Sequence, residues 1–248
     1  MQHGALALVG SGEYSESMRT LEAQLIQLGV SQGQGGGFVQ IAAAAGLESD
    51  DRFTYWKELG RKQAQAIGAL WRFLNIRDRN DALDPQWVEQ VSGASLIYFS
   101  GGNPYHLADT FRDTPLWRAI VKEFGNGSSL AGCSAGAMFM GTHIPAFRPP
   151  FAQEKMGVNL IPGLFVLPHF DKFFGKIPQQ MRKILDNSDS NSHVIGIDEN
   201  TALTYQNGEW KHYGMGRVHL LSHNPKQIIG SSYERISLSL TMNIDLPS

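Results

Sequence analysis

The feature that most constrains this chain is an alternation of short, continuously apolar runs with longer segments of helical spacing. Ala5–Val9 precedes Ser17–Leu28, where Met18, Leu21, Leu25 and Leu28 recur three or four residues apart. Gly37–Ala43 precedes the helical segment Asp50–Ile67, and Ala69–Ile76 precedes a short helix, Pro85–Val91, with Asp84 as its cap. Leu96–Phe99 precedes helical stretches around Leu107–Phe111 and Leu116–Phe124, and Leu130–Cys133 is the fifth run. A strand with no polar alternation has no face to give to water. A mostly parallel sheet covered by helices on both faces is the architecture that buries such strands. The expectation is an α/β fold of that kind.

After the fifth run the pattern becomes richer in strands. Gly163–Pro168 is strand-like and Ile177–Leu185 is helical in spacing. His193–Tyr205 and Glu209–Leu221 are strand-like, and Gln206-Asn207-Gly208 between them is a hairpin signal. These extra C-terminal strands are expected to extend the same sheet. No repeat, low-complexity tract or linker interrupts the chain, so residues 1–248 are expected to form one domain.

Composition narrows the class. With 248 residues, 42% of them hydrophobic, the chain can bury a sizeable core. The formal net charge is -2 and no basic run stands out, which argues against a nucleic-acid partner. Cys133 is the only cysteine, so neither an intrachain disulfide nor a multi-cysteine zinc site can form, as suits a cytoplasmic protein. Ala5–Val9 lacks a preceding basic region and is too short for a signal peptide or a membrane span, so no membrane partner is expected.

Ligands of open α/β sheets sit at the carboxyl ends of the strands. Glycine-rich loops follow three of the runs there, so Gly12, Gly102 and Ser134 are expected to line one crevice. A dinucleotide reading of Gly10-Ser11-Gly12 fails, because Ser15 stands where that fingerprint needs a third glycine.

Gly132-Cys133-Ser134-Ala135-Gly136 carries the clearest chemical signal. A G-x-S-x-G turn between strand and helix exposes a serine on a strained backbone, and small neighbours are needed to avoid clashes. The following N–H is then available to a developing oxyanion. Cys133 is a rival nucleophile, but beside the apex its side chain should point into the fold. A serine also needs a base. Of eight histidines, His169 ends an apolar run at a strand end, and His106, after the Gly101-Gly102 loop, is a near rival. Asp198 and Glu199 interrupt the apolar stretch Val194–Leu203. Strand alternation would send them to opposite faces, so only one should serve as the acid.

Four segments, in order, resemble the serine peptidase family of cyanophycinase and aspartyl dipeptidase, family S51. They are Phe99-Ser100-Gly101-Gly102-Asn103, Gly132 to Ala137, Pro168-His169-Phe170 and Gly196 to Ala202. Gly10-Ser11-Gly12-Glu13 is similar to that family's first loop. The resemblance implies a fold like the class I glutamine amidotransferases, flavodoxin-like, with serine replacing their cysteine. It implies Ser134 as nucleophile, His169 as general base and Glu199 as acid. It also implies Gly102 and Ala135 as oxyanion-hole donors and Asn103 beside them in substrate binding. No metal and no organic cofactor is implied.

Two departures bear on substrate. Asn103-Pro104 replaces the acidic or amide residue plus glutamine common in cyanophycinases. Phe173, Gly175 and Pro178 stand at the offsets of that branch's arginines, with Lys172, Lys176 and Arg182 nearby. In the aspartyl dipeptidase branch the acid follows the nucleophile more closely, and Glu154 is the one carboxylate in that stretch; Glu199 is preferred. The expected activity is cleavage of a small peptide or isopeptide, next to an acidic residue, through an acyl-enzyme. An esterase or amidase with the same triad is the alternative, and a non-catalytic ligand-binding homologue is a third reading. A homodimer is left open.

Overall fold

The computed structural model describes residues 3–146, 154–173, 192–221, 227–229, 235–236, 240 and 242. The helix expected over Ile177–Leu185 lies outside them, as do Gly175, Pro178, Lys176 and Arg182. The first half alternates as expected: β1 (Leu6–Val9), α1 (Arg19–Ser31), β2 (Gly37–Ile41), α2 (Asp50–Ile67) and β3 (Leu70–Leu74). Then come α3 (Arg79–Leu83), α4 (Gln86–Val91), β4 (Ala94–Phe99), α5 (Pro104–Phe111), α6 (Pro115–Gly125), β5 (Ser129–Cys133) and α7 (Ala135–Met138). Strands β1 to β5 pair in parallel, in the spatial order β1-β5-β4-β2-β3.

Helices cover both faces because the strands are apolar on both. Leu6 and Leu8 of β1 join one core with Phe111, Trp117 and Phe124 of α5 and α6. Ala7 and Val9, pointing the other way, join a second core with Leu21, Leu25 and Ile26 of α1. Burying one such aliphatic side chain stabilises the fold by roughly 1.5–3 kcal/mol, so these layers dominate the energetics.

The rest of the described chain holds a short ribbon of β6 (His143–Ile144) and β7 (Lys155–Met156), then β8 (Leu164–Leu167), β9 (His193–Ile197) and β10 (Thr201–Gln206). Strands β11 (Glu209–Gly214), β12 (Val218–Leu220), β13 (Gln227–Ile229) and β14 (Arg235–Ile236) follow. Here the structure departs from the expected single sheet. Each of the two long strand-like runs is broken in the middle, and its halves enter different sheets. β10, β11 and β14 extend the main sheet antiparallel beside β1. β8, β9, β12 and β13 form a second sheet in the order β13-β12-β9-β8.

The breaks are polar or glycine-containing turns: Asp198-Glu199-Asn200, where Asn200 takes φ 53°, and Gly214-Met215-Gly216, where Gly214 takes φ 107°. Hydrophobic patterning reports burial and not which sheet a strand joins. Both sheets share one core, in which Val166, Ile195 and Val218 meet Leu203 and Trp210. The hairpin at Asn207-Gly208 joins β10 to β11, both turn residues having positive φ. Among the described residues no helix is long and apolar enough to cross a membrane.

Candidate active site

Strand order brings three loops together. β5 lies between β1 and β4, with Val9 opposite Cys133 and Phe99 opposite Gly132. The loops after β1, β4 and β5 therefore leave the sheet side by side. Ser134 is the apex of the last, with φ 51° and ψ -108°. Such a backbone costs on the order of 1–3 kcal/mol and persists only where its surroundings enforce it. Here Ser134 N–H donates to Val9 C=O at 2.9 Å, and Ser134 C=O accepts from Ala137 and Met138 N–H, each at 3.0 Å. The small neighbours are obligatory. A Cβ on Gly132 would lie 2.1 Å from Gly136 O, and one on Gly136 would lie 2.4 Å from Phe99 O. Residues around the apex are buried while Ser134 itself reaches solvent.

His169 and Glu199 arrive from the second sheet. β8 and β9 run parallel, with Leu167 opposite Gly196, so residues just beyond their ends meet. His169, at φ 49°, places Nε2 3.0 Å from Ser134 Oγ and Nδ1 3.2 Å from Glu199 Oε1. A carboxylate only accepts hydrogen bonds, so Nδ1 carries the hydrogen and Nε2 accepts from the serine hydroxyl. The ring and the carboxylate are partly screened, with side-chain exposures of 28% and 32%. Phe170 anchors this segment: its N–H donates to Ile197 C=O at 3.1 Å, and its ring packs 4.4 Å from His219.

The rival residues have other partners. His106 Nε2 sits 2.6 Å from Arg77 O. Glu154 pairs with His143 at 2.8 Å. Asp198 faces away from His169, buried, holding His219 Nε2 at 2.8 Å and Arg217 N–H at 2.9 Å. Cys133 is fully buried and donates its S–H to Glu13 Oε2 at 2.8 Å. Burial pushes its thiol well above the ordinary range, and the Glu13 carboxylate adds to that.

Of the residues assigned to the oxyanion side, Gly102 is exposed at the crevice with φ 140°. The backbone N–H groups of Gly102 and Ala135 donate no hydrogen bond to another backbone group among the described residues. Asn103 has an observed role in the fold. Its Oδ1 accepts from Tyr105 and His106 N–H, each at 3.0 Å, capping α5. Asn before Pro at the first helical position is itself a capping signal. Two residues were given no role from the sequence. Asp171 accepts Glu199 N–H at 3.0 Å, and Glu13 reaches under the site. Glu13 ends the Gly10-Ser11-Gly12-Glu13 loop, which assigned it no role, and Asp171 carries no motif, because each acts through a contact distant in sequence.

A serine hydroxyl, an imidazole and a carboxylate in one hydrogen-bonded file, at the carboxyl edge of a doubly covered α/β sheet, form the arrangement used by serine hydrolases. The model of peptidase family S51 matches residues 6–213, so the chain belongs to that family. A cyanophycinase of Geminocystis herdmanii is 29% identical over 171 residues, covering 64% of this chain and 58% of the relative. A peptidase E of Nostoc sp. is 22% identical over 179 residues, covering 68% and 69%. The chain spans only about half the length of the curated cyanophycinases it matches. Among solved structures, that of a peptidase from an acI-B1 actinobacterium superposes with a TM-score of 0.88 at 46% identity, covering 96% of this chain and 98% of the other.

Proposed function

We propose that this protein is a serine peptidase that cleaves small peptides or isopeptides through an acyl-enzyme on Ser134. The observation that carries the reading is the contact of His169 Nε2 with Ser134 Oγ at 3.0 Å, on a serine held at the strained apex of a strand-to-helix turn. His169 takes the serine proton as the hydroxyl attacks the scissile carbonyl. Glu199 holds the tautomer that leaves Nε2 free and stabilises the imidazolium that forms. The N–H groups of Gly102 and Ala135 receive the oxyanion. His169 then protonates the leaving amine, and water, activated by the same imidazole, releases the acid.

For the substrate we infer an acidic residue beside the scissile bond. Lys172 supports this: its side chain is 55% exposed and its Nζ, 3.9 Å from Asp171 Oδ2 and 4.0 Å from Glu199 Oε2, places a cation at the rim of the site. The departures at Asn103-Pro104 and Phe173 weigh against cyanophycin as that substrate. A single buried cysteine fits the reducing cytoplasm.

The test is labelling with an alkyl fluorophosphonate, followed by peptide mapping and a screen of dipeptides, isopeptides and simple esters. The expected result is an adduct on Ser134, turnover of acidic peptides, and loss of both in a folded Ser134→Ala variant. Turnover by Ser134→Ala at the wild-type rate would overturn the reading, and turnover of esters alone would replace peptidase by esterase.

A further inference from the structure

The loop after β1, Gly10 to Ser17, has no part in the reaction described above, yet it touches three of the four segments that build the site. β1 sits between β10 and β5 in the main sheet, so its loop emerges between the Asp198-Glu199-Asn200 turn and the Ser134 turn. On one side, Ser17 Oγ donates to Asn200 Oδ1 at 2.8 Å, and a Cβ on Gly12 would lie 2.5 Å from that same atom. On the other, the Glu13 carboxylate divides its oxygens between two loops. Oε1 accepts Gly101 N–H at 2.8 Å, and Oε2 accepts the Cys133 S–H at 2.8 Å.

We propose that Glu13 is a positioning residue that fixes the Gly101-Gly102 loop against the Ser134 turn, and so sets the separation of the two oxyanion donors, Gly102 N–H and Ala135 N–H. The proposal rests on the reading of Ser134 as nucleophile.

Three observations carry it. The first is that the bridge spans the right pair: Gly101 directly precedes one donor residue, and Cys133 lies two positions before the other. The second is the lack of slack. A Cβ on Gly101 would lie 2.9 Å from Glu13 Oε1 and 3.3 Å from Ser134 Cβ, so a side chain there would have to push the carboxylate or the serine aside. The third is that Glu13 is itself held. Tyr14, at φ 60°, donates its N–H to Glu22 Oε1 at 3.0 Å, and its hydroxyl lies 2.8 Å from Ser100 Oγ, one residue before Gly101.

A carboxylate suits the task because it offers two acceptors on one rigid plane and both donors keep their hydrogens. The amide always does, and the buried thiol stays protonated. Glutamine offers one acceptor and keeps half the bridge. Alanine keeps none. Oxyanion donors act through placement: losing one costs about 10²–10³-fold, and a displacement of ~1 Å costs about 10²-fold.

The experiment measures the second-order rate of fluorophosphonate labelling at Ser134, whose P=O oxygen occupies the oxyanion position, together with the folded fraction from thermal unfolding. Glu13→Ala is expected to label about 10²-fold more slowly per folded molecule, and Glu13→Gln about tenfold more slowly, a partial rescue that follows the number of acceptors. If Glu13→Ala does not fold, Glu13→Gln carries the test. Variants that label at the wild-type rate, or whose loss is accounted for by a smaller folded fraction, overturn this proposal alone, provided the wild type labels and Ser134→Ala does not. A wild type that gains no adduct on Ser134 overturns the nucleophile reading and this proposal with it.

Discussion

Glu199 and Glu154 have the same chemistry and the same kind of partner, a histidine Nδ1, at 3.2 Å and 2.8 Å. What separates them is which histidine. Glu199 meets the imidazole that touches Ser134, whereas Glu154 meets His143, which stacks on Phe165 at 5.4 Å. Glu199→Gln keeps the shape and removes the charge. It should lower kcat by ~10⁴-fold, as for a comparable acid in a serine protease, with little change in stability. Glu154→Gln should leave turnover within a few fold. Steady-state kinetics on the peptide found by the substrate screen checks both, and the reverse ranking would move the acid to Glu154. Positive φ at Ser134, His169 and Asn200 gathers strained residues where these groups meet. Strain of this kind concentrates at sites whose geometry is imposed from outside.

At the scale of the element, α5 shows how one residue can be read two ways. Asn103 lies beside the oxyanion loop and resembles a substrate contact, yet its Oδ1 is committed to the first turn of the helix. Asn103→Ala should cost about 1 kcal/mol of stability, the usual loss of an N-cap. Urea unfolding should show this as a lower midpoint with an unchanged slope. An unchanged midpoint would mean that solvent satisfies the orphan N–H groups equally well. The strands teach a related lesson. β1, β2, β4 and β5 were legible because a run buried on both faces has one plain reading. The runs His193–Tyr205 and Glu209–Leu221 were legible as strands but not as pairs of strands, because strand-like residues continue on both sides of each turn. That division is what carries Glu199 to the end of β9 and delivers it to His169.

For the molecule as a whole, the buried acid Glu22 couples stability to pH. It is 1% exposed, and burial pushes its carboxyl up to about 7 against the opposing hydrogen bonds from Tyr14 N–H and Gln63. Glu13 adds to the rise and Arg19 opposes it. The folded state therefore holds this proton more tightly than the unfolded chain, whose ordinary value is 4.5. Glu22's contribution is full below that value and is lost as pH rises through about 7, at a cost on the order of 3 kcal/mol. Glu22→Gln should flatten this part of the pH dependence and narrow the difference in unfolding free energy between pH 5 and pH 8. Urea titrations of both proteins at the two pH values test it, and parallel pH dependences would show that Glu22 is not the group responsible.

Local sequence determined what depends on local physics. Apolar runs without alternation demanded burial on both faces, and hence a covered, mostly parallel sheet. The small residues around Ser134 permitted a turn that larger ones forbid, and Asn207-Gly208 supplied the positive φ of a hairpin. Only the tertiary structure decided which strands are neighbours. With β5 between β1 and β4, and β8 beside β9, residues 120 positions apart, Glu13 and Cys133, come within hydrogen-bond distance. A side chain whose partner is chosen by sheet order leaves no periodicity in the sequence around it. That is why the roles of Glu13 and Asp171 and the sheet-crossing turn at Glu199 emerge only once the chain is folded.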